Sequence, residues 1–167
     1  MKPTNLCLTS IGKSGLELVT VVPDTIPNII LNEIVLKSMP LSAKAGDFTS
    51  STVEGYQIEC FIFSVPGDER QNIAFLVAIY NNPNYDRDTV RKFFSFTVTE
   101  LQRYNMSDTN TFSKILPSML EGLKKGKVKI KISSVVTLEF NFDDDSKKKK
   151  KDRGEEFLES VKGDIWR

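Results

Sequence analysis

The spacing of hydrophobic and polar positions changes period several times along the chain, and each change marks an expected element. Asn5 to Thr9 and Leu16 to Val22 are strand-like runs, and Gly12 and Gly15 between them supply the positive φ that a reversal needs. From Thr25 to Lys37 the pattern turns helical, opened by cap-forming residues and an early proline and closed by Pro40. At about 100° per residue, Ile30, Leu31, Ile34 and Val35 form one arc suited to face a sheet. Ile29 and Leu36 fall outside this arc, seven residues apart beside Asn32 and Glu33; they read either as tolerated surface aliphatics or as a small partner-binding stripe.

Asp47 to Thr52 reads as a short strand, followed by a turn at Glu54 and Gly55. Tyr56 to Val65 begins by alternating and ends apolar on both faces, and Asn72 to Tyr80 is apolar throughout, as in strands covered on two sides. Such strands call for helices on two faces. Asp86 to Tyr104 supplies one, with Val90, Phe93, Phe94, Thr97, Val98 and Leu101 in helical register. A second starts at Asp108 with Phe112, Ile115, Leu116, Met119 and Leu123 in register; it is expected to kink or divide at Pro117 and to end between Gly122 and Gly126. Phe93, Phe94 and Phe96 read as core rather than as a base-stacking platform, with Phe96 alone left for exposure.

Lys127 to Ile132 alternates strictly and Val136 to Phe142 nearly so, as expected of extended segments with one buried face. Asp143 to Asp145 then runs straight into Lys147 to Lys151, a composition that reads as a charged linker over 143–153. Residues 154–167 regain helical periodicity through Phe157, Leu158, Val161, Ile165 and Trp166, although Gly163 weakens that helix. The chain closes on Ile165, Trp166 and Arg167 with no polar run after the apolar pair, as expected of a piece of a longer protein.

Composition narrows the chemistry. With 23 Lys and Arg against 22 Asp and Glu, the net charge of +1 provides no global field to gather nucleic acid, so any basic function is local. No histidine occurs, which removes the commonest general base and the commonest transition-metal ligand. Cys7 and Cys60 lie in apolar runs and read as buried thiols. Gly12, Lys13 and Ser14 match the end of a phosphate-binding loop, but position 7, where that loop needs its first glycine, is Cys7, and a strand-like run follows in place of a helix. We expect no catalytic constellation, no cofactor and no metal, and an intracellular, cytoplasmic protein, since the N-terminus lacks a secretory apolar segment.

The expected fold class is therefore α/β in the α+β sense: a mostly antiparallel five-stranded sheet sandwiched between helices, in the order β-β-α-β-β-β-α-α, plus a C-terminal extension. Together with the loop Leu41 to Asp47 and the stretch Phe93 to Leu101, this order resembles the longin domain and the wider longin and roadblock group with its profilin-like sandwich. The resemblance covers about residues 5–125, within a domain read as 1–126, with 127–142 as an added β-like segment. It implies a non-enzymatic scaffold that docks a small GTPase or a membrane-trafficking component, in some cases as a homodimer. It also implies a groove between the first helix and third strand, here along Ile30, Ile34 and Phe48, that receives an apolar segment such as the face of Phe157, Leu158, Val161, Ile165 and Trp166.

Two readings from different classes follow. The first is the longin-type adaptor, with Ile29 and Leu36 at its partner surface and a regulatory effect on a GTPase in trans left open. The second is a peripheral module in which Lys147, Lys148, Lys149, Lys150, Lys151 and Arg153 meet an anionic membrane surface and Trp166 enters the interface, with Asp143 to Asp145 working against it. Nucleic acid is not an expected partner, and an actin-binding, profilin-like role rests on fold analogy alone.

Overall fold

A computed structural model describes residues 2–12, 15–38, 44–66 and 73–141. Lys13, Ser14, Pro40, residues 41–43, and the whole linker and C-terminal segment lie outside the described residues; with the last go Lys147 to Lys151, Arg153, Phe157, Leu158, Val161, Ile165 and Trp166.

Five strands form one antiparallel sheet: β1 (Asn5–Gly12), β2 (Gly15–Val22), β3 (Phe48–Val53), β4 (Tyr56–Ser64) and β5 (Ile73–Tyr80), in the spatial order β2-β1-β5-β4-β3. The first two pair as a hairpin closed between Gly12 and Gly15, where Gly15 takes φ +105°, a conformation that costs glycine least. Glu54 and Gly55 both have positive φ, 48° and 85°, as a two-residue turn between β3 and β4 requires. Central β5 pairs with β1 on one side and β4 on the other, and Ala74 to Tyr80 are all buried, which explains a run that is apolar without alternation.

Among the described residues, three helices cover the sheet: α1 (Asn28–Lys37), α2 (Arg87–Arg103) and α3 (Thr109–Lys125). The first starts three residues later than its pattern suggests: Pro27 disfavours helical backbone at the residue before it and itself stands at the N-cap with extended ψ of 140°. Asp86 caps α2 by accepting from the Thr89 amide, and Asp108 caps α3 by accepting from the Thr111 amide. Pro117 divides nothing: α3 runs through it and ends at Gly126 in the left-handed region.

The two faces of the sheet carry separate cores. Alternation along β4 sends Ile58, Cys60 and Ile62 toward α1, where they join Leu31, Ile34, Phe75, Val77 and Ile79. The same alternation sends Phe61 and Phe63 toward α2 and α3, among Leu6, Leu8, Phe93, Phe94, Phe112 and Leu116. On that side Ala74 and Ala78 are the small residues of β5, leaving room for the helices to approach.

The segment after α3 does not join this sheet. It folds as a hairpin, β6 (Lys127–Lys131) paired with β7 (Thr137–Asn141), in a second two-stranded sheet. Val128, Ile130 and Leu138 enter the core shared with α2 and α3, so the hairpin packs on the helical layer and belongs to the same hydrophobic unit. Among the described residues, β2 and β3 remain the outer strands of the main sheet. Gly122 makes the close packing possible, since a Cβ there would drive into Val128 and lie 3.1 Å from the Lys127 carbonyl oxygen.

Candidate functional site

Among the described residues, α1 is the one helix on its side of the sheet. Leu31, Ile34 and Val35 are buried and Ile30 is half-buried, so the expected arc faces the sheet. Ile29 and Leu36 point away from it and are 79% and 67% exposed. Two turns of helix separate them by about 10 Å along the axis. Leu18 on neighbouring β2 adds a further partly exposed aliphatic; by strand parity it shares the α1 side with Leu16, just before a register shift in the pairing of β1 and β2. The C-terminus of α1 is well anchored: the Ser38 hydroxyl donates to the Val35 carbonyl at 2.7 Å, and the Cys60 thiol donates to the Ser38 carbonyl at 3.4 Å.

The groove expected along Ile30, Ile34 and Phe48 is corrected by strand parity. Ile30 and Ile34 belong to the α1 core, whereas Phe48 lies on the opposite face, stacked on Phe61 at 4.6 Å between ring centroids. The sheet itself separates them. Phe48 instead lines a shallow groove of about 510 Å³ with Arg91, Lys92, Ser95, Phe96 and Phe140. Phe96 is half-buried there, its ring 5.1 Å from that of Phe140.

Beside this groove lies a charged cluster that the sequence pattern did not single out. Glu59, in the middle of β4, is 1% exposed and faces α2. Its Oε1 accepts from the Tyr85 hydroxyl at 2.7 Å and pairs with Arg87 Nε at 2.9 Å, while Oε2 accepts from Arg91 Nε at 3.2 Å. Ser50 on β3 also hydrogen-bonds Glu59, and its oxygen accepts from Arg91 Nη2 at 3.1 Å. Arg91 lies over the Phe48 ring at 5.1 Å, and Tyr85 stacks on Tyr80 at 4.1 Å. Burial and the hydrogen bond to Glu59 raise the Tyr85 hydroxyl above its ordinary range. A buried carboxylate with each oxygen engaged ties β3, β4 and α2 together; it is saturated by its own partners and offers no open position to a substrate. The available signal was a lone charge inside an apolar strand, with Arg87 and Arg91 four residues apart on a helix.

Cys7 and Cys60 both register with Val77, from opposite sides of β5. Two strand spacings put their backbones about 10 Å apart, too far for a disulfide. Burial pushes both thiols up to about 12, so they stay protonated and inert at neutral pH. Among the described residues, no group of three or more His, Cys, Asp or Glu side chains is arranged to hold a metal ion, and no helix is long and apolar enough to cross a membrane. No protein-family model matches the chain, and neither does any curated protein with which it was compared.

Proposed function

We propose that this protein is a longin-type interaction scaffold that docks a small GTPase or a membrane-trafficking component through the outer face of α1. The single observation that carries the reading is the pair Ile29 and Leu36, exposed together on the one helix that, among the described residues, covers its side of the sheet. The element order and the strand order β2-β1-β5-β4-β3 support the resemblance to the longin group. The aliphatic pair flanks Asn32 and Glu33, so the surface is a small apolar stripe with a polar margin, as suits a reversible partner. Docking there needs no chemistry from the scaffold, in keeping with an interior whose Glu59 carboxylate and two thiols are enclosed.

The test is a titration of the full chain against a panel of purified small GTPases, each loaded with GDP or with a non-hydrolysable GTP analogue, followed by calorimetry. The reading expects saturable binding by at least one member, lost when α1 carries Ile29→Asp and Leu36→Asp. Binding by none, or binding indifferent to the double substitution, would overturn it.

A further inference from the structure

The β6–β7 hairpin presents a second surface, chemically unlike the α1 face and carried on the other side of the sheet. Strand β6 alternates so that Val128 and Ile130 are buried while Lys127, Lys129 and Lys131 point outward. Residues two apart on a strand repeat about every 6.7 Å, so the three ammonium groups form a row. Their partners across the hairpin are Asn141, Glu139 and Thr137, and only Glu139 opposes the charge. Lys124 and Lys125, both exposed, end α3 directly before the row, with Lys125 Nζ 2.8 Å from Glu121. Five lysines against Glu121 and Glu139 leave a surplus of three positive charges, on a chain whose whole net charge is +1.

The far end of this row carries a different feature. Val135, in the turn of the hairpin, is 86% exposed, more than any other large hydrophobic residue described. The turn is held by its own hydrogen bonds: the Ser133 hydroxyl oxygen accepts from the amides of Val135 at 3.4 Å and Val136 at 3.1 Å, and the Ile132 amide donates to the Val136 carbonyl at 2.9 Å. An aliphatic side chain is thus fixed outward at the tip of a basic ribbon.

We propose that the β6–β7 hairpin docks the protein on an anionic lipid bilayer, with Lys127, Lys129 and Lys131 against the headgroups and Val135 entering the interface. Charge complementarity selects an anionic partner, and the tip selects a bilayer over a nucleic acid. The outward face of the hairpin carries no aromatic ring to stack a base and no arginine fork to grip a phosphate pairwise, and an exposed valine gains nothing against a polar backbone. Lysine as a mobile point charge suits a fluid headgroup layer, and a buried aliphatic adds the apolar contribution that charge alone lacks. The hairpin packs on α2 and α3, across the sheet from α1, so its surface is separate from Ile29 and Leu36.

The test is flotation of the full chain with vesicles of equal parts phosphatidylcholine and phosphatidylserine, against pure phosphatidylcholine, over a range of salt. Binding is expected to the anionic vesicles only and to weaken with salt. Changing Lys127, Lys129 and Lys131 to Gln is expected to reduce the partition coefficient about fivefold per lysine, and Val135→Asp to reduce it further. Binding is expected to persist when Lys147 to Lys151 become Gln, which separates the hairpin from the tail. In a Trp166→Phe background, Val135→Trp is expected to show a blue-shifted emission on adding anionic vesicles, a readout that a purely structural role would not give. No binding to anionic vesicles, binding lost with the tail lysines but kept without the hairpin lysines, or an unshifted emission from the Val135→Trp variant would each overturn the proposal.

Discussion

The two faces of the five-stranded sheet are covered in opposite ways. One carries α2, α3 and the hairpin, with a ladder of rings from Phe48 through Phe61 and Phe63 to Phe112 and the buried Glu59 cluster at its margin. The other carries, among the described residues, α1 alone, ten residues long, over an aliphatic core of Ile58, Ile62, Val77 and Ile79. The thick face encloses its Glu59 cluster to hold elements together and exposes a large aliphatic, Val135, at the tip of its hairpin, while the thin face leaves two large aliphatics in water on the covering helix itself. The difference teaches where binding can evolve without unfolding: exposed Ile29 and Leu36 contribute nothing to the core, so they are free to serve a partner.

The largest expected effect lies in the thick face. Replacing Arg87 and Arg91 together by Met would leave the Glu59 carboxylate buried without a cation, and urea unfolding should show a loss of about 3–5 kcal/mol. Next is Gly122→Ala, where the new methyl meets Val128 and the Lys127 backbone; a loss of about 1–3 kcal/mol is expected, with hydrogen exchange rising in β6 and β7 before the main sheet.

The helix caps come third. Thr89 and Thr111, by hydrogen-bonding Asp86 and Asp108, hold these carboxyls below their ordinary value of 3.8. A lowered native value means that the caps stabilise the fold above about pH 4 and lose that contribution as pH falls through the native value. Asp86→Ala or Asp108→Ala should cost about 1 kcal/mol at neutral pH and flatten the acid limb of a pH titration of stability. The smallest effect belongs to the thin face: Ile29→Asp and Leu36→Asp should each change stability by about 0.5 kcal/mol or less. In the same native protein, Cys7 and Cys60 should resist a thiol reagent at neutral pH and react only on unfolding.

The fold was largely legible because its signals are local. Apolar runs without alternation marked β4 and β5, Asp86 and Asp108 opened α2 and α3, and the pair Glu54 and Gly55 marked the β3–β4 turn. The outward position of Ile29 and Leu36 followed from helical phase alone. What failed depended on register. Phe48 was correctly placed in a strand, yet a one-residue choice of parity decides which side of the sheet it meets, and nothing within β3 fixes that choice relative to α1. The Glu59 cluster required knowing that β4 places residue 59 toward α2 and opposite Ser50, a fact of pairing between distant segments. The hairpin illustrates both cases: its alternation announced two strands, but its docking on α3 was written in Gly122, which reads in sequence only as a helix terminator.

The central claim is that the thin face of the sheet is the partner surface, and one paired measurement tests it most directly: thermal stability and GTPase affinity of the Ile29→Asp, Leu36→Asp double variant beside the parent chain. The account predicts a melting temperature lowered by no more than a few degrees with affinity reduced at least about tenfold, the loss of roughly 1.4 kcal/mol of binding energy expected when two interface aliphatics become charged. Equal affinity in the two proteins would contradict it.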